Sequence, residues 1–367
     1  MKPQILLPAV AFFCALSGAA QASSITLAWD PSPSSGVAGY TVFYGTQAGS
    51  YTVSVDVGPA TTWTTTLLAD DRPYYFAVQA YTSNGLVSPL SSSVSGTPTV
   101  TIVGPSRDDI GGDGHADLVW QHATEGWLSI WHMNGNLRIG DAGTNPARVP
   151  TVWRLAGMGD LNGDGHLDII WQHRTEGWLS VWFMNGGTKL GDAVLSRPRV
   201  LDPNWKIVAV ADMNGDGKDD LIWQHDVDGT LAVWYMNGYT VLADAVVSPS
   251  RVADRNWRVI GAGDANRDGK PDLFWHHKTE GWVAVWLMDG RTKVGELALS
   301  PNRVSDLDWE PQAVVDLNGD GYPDLVWHHR TRGSLAVWAL RGGAAFEQTT
   351  IVPGTVNDVN WSVVGPK

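Results

Sequence analysis

Five acidic nine-residue segments in the C-terminal two thirds of the chain carry the residue types that bind metal ions. They read DIGGDGHAD (109–117), DLNGDGHLD (160–168), DMNGDGKDD (212–220), DANRDGKPD (264–272) and DLNGDGYPD (316–324), at steps of 51 or 52 residues. With one exception, each segment offers carboxylate or amide oxygens at positions 1, 3, 5 and 9, and each has Gly at position 6. Calcium takes about six to eight oxygen ligands, so the pattern predicts a calcium site in each segment.

The expected ligands are the side chains at positions 1, 3, 5 and 9, together with the backbone carbonyl at position 7. In the first segment, positions 1, 5 and 9 are Asp109, Asp113 and Asp117. In the other four, positions 1, 3, 5 and 9 are Asp160, Asn162, Asp164 and Asp168; Asp212, Asn214, Asp216 and Asp220; Asp264, Asn266, Asp268 and Asp272; and Asp316, Asn318, Asp320 and Asp324. Position 7 is His115, His166, Lys218, Lys270 and Tyr322. Gly111 leaves the first segment without a side-chain oxygen at position 3, so we expect that site to be the weakest. Arg267 replaces the Gly at position 4 of the fourth segment and puts a cation near that site.

The alternative interpretation of these segments is that Asp-Asn-Gly runs are ordinary turns. Five copies in register, each with Asp at position 9, favour metal binding. The formal charge is −13; loss of Lys2 with an N-terminal leader would make it −14, and five Ca²⁺ ions would bring it to −4. Without metal, the three aspartates of each segment would repel one another. We therefore expect about five structural calcium ions with no open catalytic position.

Strand-like runs surround every acidic segment. A run such as LVWQH (118–122) follows it, then a Thr-Glu-Gly-like turn, an apolar run such as LAVWYM (231–236), a weaker strand and a Trp-led run such as WKIVAV (205–210). About four strands in about 50 residues is the content of a β-propeller blade. The run 231–234 is apolar on both faces, which indicates a sheet between two others. The equivalent tryptophans are expected to fill the space between blades: Trp131, Trp182, Trp234, Trp286 and Trp338.

The repeat resembles the FG-GAP/VCBS repeat of integrin α-subunit propellers and of many bacterial exported proteins. This resemblance covers residues 101–367 and implies a calcium-binding propeller of about five four-stranded blades. The first six positions of each segment also resemble an EF-hand loop, but the flanks are strands and position 12 lacks the EF-hand Glu. Trp361–Gly365 repeats the Trp-led strand, and Thr101–Gly104 occupies the same slot without the Trp. One of the two should close the ring; an open array or pairing with a second chain is the alternative.

The first 22 residues have the features of a secretory signal peptide. Lys2 precedes an apolar stretch from Ile5 to Ala20, and Ala20-Gln21-Ala22 is typical of a cleavage site. The mature chain is therefore expected to start near Ser23 and to be exported. Cys14 is the single cysteine and lies within the leader, outside a lipoprotein context, so the mature chain is expected to have no disulfide. No other segment approaches the ~20 apolar residues of a membrane span.

Residues 23–99 contain short β-rich runs, such as SITLAW (24–29), YTVFY (40–44) and YYFAVQAY (74–81), separated by turn clusters. This pattern predicts a β-sandwich, with alternate residues of the third run on opposite faces. The segment resembles a fibronectin type III domain through Trp29, the run 74–80 and Leu68 six residues before Tyr74, although Asp70 replaces the usual Pro of the tyrosine corner. The resemblance implies a spacer or adhesive module without catalytic chemistry.

Two further repeat slots are candidates for function. Trp127, Trp178 and Trp282 share a slot with Thr230 and Ser334, which indicates partial exposure. A Trp beside Glu125, Glu176 or Glu280 is suited to stack against a sugar ring; alternatively, it covers the blade turn. The slot of His122, His173, His225, His277 and His329 suggests either a metal ring or an imidazole bonded to a neighbouring loop, and equivalence between blades argues against catalysis.

Three functional hypotheses follow. The first is an exported, non-catalytic calcium-binding protein that recognises glycans or extracellular proteins. The second is an enzyme on a propeller scaffold, a polysaccharide lyase or hydrolase, for which the sequence shows no unrepeated cluster of acid, base and Arg. The third is a structural surface component. An excess of 38 acidic over 25 basic residues makes nucleic acid an unsuitable partner; the ligand, the oligomeric state and the choice between periplasm and extracellular space stay open.

Overall fold

A computed structural model describes residues 10–11, 25–65, 73–96, 108–341 and 344–366, and its regular elements there are all β-strands. The predicted all-β class is therefore confirmed. The chain divides into two compact units, Met1–Val103 and Gly104–Lys367. The expected cleavage site at residues 20–22, Cys14, Leu68, Asp70 and the strand at residues 101–104 lie outside the described residues. Within those residues, no helix has the length and hydropathy that crossing a membrane requires.

The first unit is a β-sandwich of two sheets. Strands β1 to β7 are Val10–Ala11, Ile25–Trp29, Val37–Gly45, Val53–Gly58, Thr62–Thr65, Tyr74–Thr82 and Val94–Gly96. One sheet has the order β1-β2-β5 and the other the order β4-β3-β6-β7. Leu27 and Trp29 from the first sheet pack against Val42, Phe76 and Val78 from the second. The predicted alternation along β6 places Phe76, Val78 and Ala80 in this core.

The second unit consists of five four-stranded blades. Blade 1 comprises β27 (Trp361–Gly365), β8 (Leu118–His122), β9 (Trp127–Asn134) and β10 (Leu137–Arg148). Blade 2 comprises β11 (Trp153–Gly159), β12 (Asp168–His173), β13 (Trp178–Asn185) and β14 (Thr188–Arg199). Blade 3 comprises β15 (Trp205–Ala211), β16 (Asp220–His225), β17 (Thr230–Asn237) and β18 (Thr240–Arg251). Blade 4 comprises β19 (Trp257–Gly263), β20 (Asp272–His277), β21 (Val283–Asp289) and β22 (Thr292–Leu297), and blade 5 comprises β23 (Trp309–Val315), β24 (Asp324–His329), β25 (Ser334–Arg341) and β26 (Ala344–Thr355).

The C-terminal strand closes the ring. Strand β27 pairs antiparallel with β8, with Trp361 opposite His122 and Val363 opposite Trp120. The inner strands contact one another in the cyclic order β11, β15, β19, β23, β27 and back to β11. The open array is therefore wrong, and of the two candidate closing strands Trp361–Gly365 is the one that pairs with blade 1.

Each of the five interfaces between blades has its own apolar cluster. The predicted interblade tryptophans lie in these clusters, but they are not the most deeply buried ones. The second strand of every blade contributes a tryptophan that is 1% exposed: Trp120, Trp171, Trp223, Trp275 and Trp327. Each packs against the third-strand Trp of its own blade, with ring centroids 4.5 to 4.9 Å apart. These paired indoles give a disulfide-free ring much of its apolar core.

A glutamine on the second strand of blades 1, 2 and 3 also links each of these blades to the next. In blade 1, Gln121 Nε2 donates to the carbonyl of Trp153 (3.1 Å), and its Oε1 accepts the N–H of Leu155 (3.2 Å). Blades 4 and 5 have His276 and His328 in this slot, and the Nε2 atoms of both are buried without a hydrogen-bond partner among the described residues. Burial lowers the pKa of both rings, that of His276 to about 4.

Replacing His328 with Gln is expected to stabilise the ring by about 1 kcal/mol, because Gln can bond Trp361 and Val363 as Gln121 bonds its neighbours. That corresponds to about 2–4 °C in Tm at neutral pH. The gain should grow as the pH falls below about 6.5. There the His328 imidazole binds a proton in the unfolded chain, whereas burial lowers its pKa in the folded chain, so the wild type loses stability as the pH falls. The matched variant His276→Gln should gain less, since Pro311 offers no N–H. Equal Tm shifts for the two variants would contradict this explanation.

Candidate functional site

The acidic segments form five loops at one end of the ring, each directly before the second strand of a blade; the last four connect the first strand of the blade to that second strand. We call them loops 1 to 5, in chain order. The residue at position 2 is apolar and buried in every loop, for example Leu161 in loop 2. Gly165 at position 6 of that loop has φ +86°, a conformation that favours glycine. The loops are therefore fixed in place by an apolar anchor while positions 3 to 7 of loop 2 face solvent.

Positions 1, 3 and 5 gather around the same short stretch of backbone. In loop 2, Asp160 Oδ1 accepts the N–H of Gly163 (2.7 Å) and Asp160 Oδ2 accepts that of Gly165 (2.8 Å). The N–H of Asp164 bonds to Asn162 Oδ1 at 2.8 Å, and Asn162 Nδ2 donates to Asp164 Oδ2 at 2.9 Å. Loop 3 repeats these bonds within about 0.1 Å. The structure thus brings together the side chains that the sequence predicted as ligands at these three positions.

Position 9 has an additional structural role. Asp168 is fully buried; its Oδ2 accepts the N–H of Leu161 and its Oδ1 that of Met184 on the third strand, both at 3.0 Å. The same pair of bonds occurs in all five loops. A carboxylate has about four acceptor sites, so these bonds leave capacity for a cation. The aspartate at position 9 therefore fixes the loop to the third strand, whether or not it also binds an ion.

The carboxylates at position 9, and that of Asp316 in loop 5, are held in an environment that disfavours their charged form. Burial, with smaller contributions from neighbouring loop carboxylates, raises the pKa of Asp168, Asp220 and Asp272 to about 6. Burial and the charge of Asp320 raise the pKa of Asp316 to about 7. A divalent cation held by these side chains would offset both causes, because it would favour the charged form of the carboxylates. The oxygen-only donor set also fits calcium by its chemistry.

Loop 1 departs from the pattern because a histidine occupies the space near position 3. A Cβ on Gly111 would lie 2.6 Å from His132 Nδ1, and that nitrogen is 3.2 Å from Asp117 Oδ2. The repeat sequence contains a signal for this contact, since His132 stands where other blades have Phe183, Tyr235, Leu287 or Ala339. An imidazole thus interacts with the position-9 carboxylate of the loop that has the fewest oxygen donors.

Loop 5 is the most buried of the five and has cations beside it. Arg267, at φ +61°, extends from loop 4, and its guanidinium carbon lies 4.1 Å from the ring centroid of Tyr322 in loop 5. Arg341 Nε lies 3.7 Å from Asp320 Oδ2. Arg267, which the sequence placed near the fourth site, therefore reaches loop 5 instead, and this loop has two arginines close to its acidic side chains.

The opposite end of the ring contains the repeated histidines. Four of them bond through Nε2 to an aspartate in the loop that precedes an inner strand, as His277 bonds to Asp254 at 2.8 Å. Pro150 occupies the aspartate slot in the blade of His173. All five rings meet the Trp of an inner strand edge-on at 5.1 Å. This arrangement matches the interpretation of an imidazole bonded to a neighbouring loop.

At this end, the side chains of Asp306, Asp308 and His329 each offer a possible metal ligand, and these three atoms lie within 4.8 Å of one another. No other group of three or more acidic, histidine or cysteine side chains among the described residues meets this distance. Two arginines already neutralise it, since Arg330 Nε bonds Asp308 Oδ1 at 2.8 Å and Arg332 NH1 lies 3.8 Å from Asp306 Oδ2. We interpret the group as a hydrogen-bonded ion-pair cluster.

The three repeated tryptophans form identical Trp–Glu–Arg groups. Trp178 Nε1 donates to Glu176 Oε2 at 2.9 Å, and the guanidinium of Arg199 lies 4.9 Å from the indole centroid. The groups of Trp127 and Trp282 have the same contacts. Trp127 is 40% and Trp178 39% exposed, so the predicted partial exposure is confirmed for both; Trp282 is half-buried. The arginine, which the sequence interpretation did not include, covers part of each indole.

Comparison with protein families matches both units. Residues 15–97 match the fibronectin type III domain, and residues 109–171, 160–223 and 212–275 match the FG-GAP-like repeat. A Kelch domain-containing protein of Saccharolobus solfataricus is 42% identical over 123 residues, which are 32% of this chain and 15% of that protein. This chain therefore spans a small part of that relative's length.

Two solved structures show distant likeness. A fibronectin type III domain of a human protein is 21% identical, with 28% of this chain and 85% of that chain covered and a TM-score of 0.20. The rhamnogalacturonan lyase YesW is 14% identical, with 92% of this chain and 67% of that chain covered and a TM-score of 0.27. At these scores neither likeness bears on function.

Proposed function

We propose that this chain, a fibronectin type III domain followed by FG-GAP-like repeats, is an exported, non-catalytic binding protein that calcium stabilises. Both kinds of domain are typical of extracellular proteins. The observation that carries the proposal is the fivefold recurrence of one oxygen-rich loop on a ring that closes through its last strand.

Calcium in this proposal has a structural task. Held by positions 1, 3, 5 and 9 and the carbonyl at position 7, it would neutralise the carboxylates of each loop and tie the loop to its neighbouring strands. The raised pKa values of Asp316 and of the buried aspartates at position 9 support this task. They indicate that the charged carboxylates are unfavourable in the folded chain, and a bound cation would stabilise them. Calcium thereby substitutes for the disulfides that the mature chain is expected to lack.

Recognition is assigned to the end opposite the calcium loops. The three Trp–Glu–Arg groups offer a partly exposed indole, a carboxylate and a guanidinium at equivalent places on blades 1, 2 and 4. Sugars combine an apolar ring face with hydroxyl groups, so they suit this combination of surfaces. Protein ligands with exposed apolar and charged side chains are the other class that such groups could recognise.

The variant Trp178→Thr is expected to weaken ligand binding about tenfold, while Tm changes by less than about 2 °C. Threonine is the natural residue of this slot in blade 3, so the fold accommodates it. Binding should be measured on whichever glycan or protein the wild-type chain captures. Trp171→Ala serves as the contrast: it removes a fully buried indole and should destabilise the ring strongly. A large loss of Tm in Trp178→Thr would assign this tryptophan to the core.

The proposed function as a whole is tested by presenting the mature chain to a glycan array and to extracellular proteins, in calcium and in EDTA. Calcium-dependent, saturable binding supports it. Release of products from a polysaccharide pool would favour a lyase or hydrolase instead. A folded, calcium-loaded chain that binds no ligand in either assay would contradict the recognition function. It would favour the hypothesis of a structural surface component.

A further inference from the structure

The inner strands carry a cation at the same position in three blades, and two of these cations, Arg154 and Lys206, line one cavity between the inner strands. The second residue of these strands is Arg154 in blade 2, Lys206 in blade 3 and Arg258 in blade 4. A cavity of about 270 Å³ lies there, at the same end of the ring as the histidines, and Arg154, Lys206, Asp226 and the apolar Val208 and Ile260 line it together with neighbouring residues. In a chain of net charge −13, this concentration of positive charge stands out.

Neutral backbone oxygens hold these cations in place. Arg154 donates to the carbonyl of Ile207 at 3.0 Å, and Lys206 Nζ donates to that of Pro203 at 2.6 Å. Arg258 NH2 donates to the carbonyl of Asp226 at 3.2 Å. Such bonds orient a charged side chain without cancelling its charge, so the cavity stays positive.

Carboxylates near the cavity do not balance the cations. Asp226 contributes one carboxylate, with Oδ1 3.7 Å from Arg258 Nε. The charge of Asp202 also acts on Lys206, but its Oδ2 already bonds His225 Nε2 at 2.9 Å. Glu310 of blade 5 faces Arg330 at 3.6 Å, so its charge is already shared with another cation. Arg174, bonded to the carbonyl of Thr151, adds to the positive side.

The titration behaviour of the cluster agrees with this excess of charge. Burial, followed by the charge of Arg174, lowers the pKa of Arg154 to about 10. Burial and then the charge of Arg154 lower the pKa of Lys206. The charged forms of Arg154 and Lys206 are thus disfavoured by their surroundings, and a bound anion would reverse that effect.

We propose that this cavity binds an oxyanion group, a carboxylate, sulfate or phosphate carried by a small ligand. A planar guanidinium donates paired hydrogen bonds to such groups, and an ammonium adds a compact charge. The volume is close to the lower limit of about 300 Å³ for small-molecule sites, which suits an inorganic oxyanion, a small organic acid or one acidic sugar. Val208 and Ile260 make part of the wall apolar. This site depends neither on the calcium loops nor on the exposed tryptophans.

The probes are sodium sulfate, sodium phosphate, sodium acetate and sodium glucuronate, titrated into the calcium-loaded full mature chain by calorimetry at constant ionic strength. Phosphate is titrated separately at a calcium concentration below its precipitation limit. Glucose is the neutral control for glucuronate. Saturable binding of at least one anion, without glucose binding, is expected, and the order of affinities distinguishes inorganic from carboxylate ligands. Absence of saturable binding by every anion would overturn the proposal.

Three variants locate the site. Lys206→Ala should weaken anion binding at least about tenfold, because it removes a charge-assisted hydrogen bond. Lys189→Ala removes the same charge from the outer strand of blade 2, where Lys189 pairs with Asp192, and should leave affinity unchanged. Asp226→Asn should tighten binding several-fold, since it removes the carboxylate that competes with the ligand. Equal affinities for the two lysine variants, or weaker binding by Asp226→Asn with an intact fold, would contradict the assignment.

Discussion

Removal of calcium from the mature chain is expected to lower its Tm by more than about 10 °C, with full recovery when calcium is restored. A ligand at 100 times its Kd stabilises the folded state by about 2.7 kcal/mol per site. Even two such sites would contribute about 5 kcal/mol, and each 1 kcal/mol corresponds to about 2–4 °C for a domain of this size. The measurement is thermal unfolding after EDTA dialysis, with and without added Ca²⁺.

Loop variants make this experiment specific. Asp164→Asn in loop 2 should reduce the calcium stoichiometry by about one, because it weakens a position that bonds both Asn162 and the loop backbone. Asp113→Asn is the matched control in loop 1, which lacks an oxygen at position 3 and whose position-9 aspartate already contacts His132. Its effect should be smaller. Elemental analysis that finds a metal-free chain with unchanged Tm would remove the calcium proposal.

Truncation after Val359 is expected to open the ring and abolish cooperative folding of blade 1. The deletion removes β27, which supplies the inner strand of that blade and places Val363 in the cluster between blades 5 and 1. Strand β8 would lose its inner partner and expose an edge, which favours aggregation. Hydrogen exchange should show lost protection in β8 and β9, while the strands of blades 2 to 4 retain more of theirs.

A peptide of residues 357–367 added in trans provides the control for truncation. It should restore Tm in a concentration-dependent way, because it can occupy the vacant inner position and pair with β8. Deletion of Lys367 alone should have little effect. Wild-type Tm and exchange protection in the truncated chain without peptide would show that another segment closes the ring.

The sequence by itself determined the features that repeat. Strand number, the order of strands in a blade, the pattern of acidic residues in the loops and the exposure of Trp127 and Trp178 all follow from local period and from comparing equivalent slots. Such features can be predicted from the sequence because each depends only on residues within one repeat of about 50 residues. The apolar faces of the third strands likewise predicted where blades meet.

Only the tertiary structure decided what depends on closing the ring. Two segments fitted the inner slot of blade 1, and pairing with β8 selected Trp361–Gly365. Arg267 reaches Tyr322 one blade away, although the sequence places it in loop 4. Arg154 and Lys206 stand about 50 residues apart, yet they line one cavity because every inner strand faces the same axis. Contacts of this kind are set by the angle between successive blades, which no single repeat specifies.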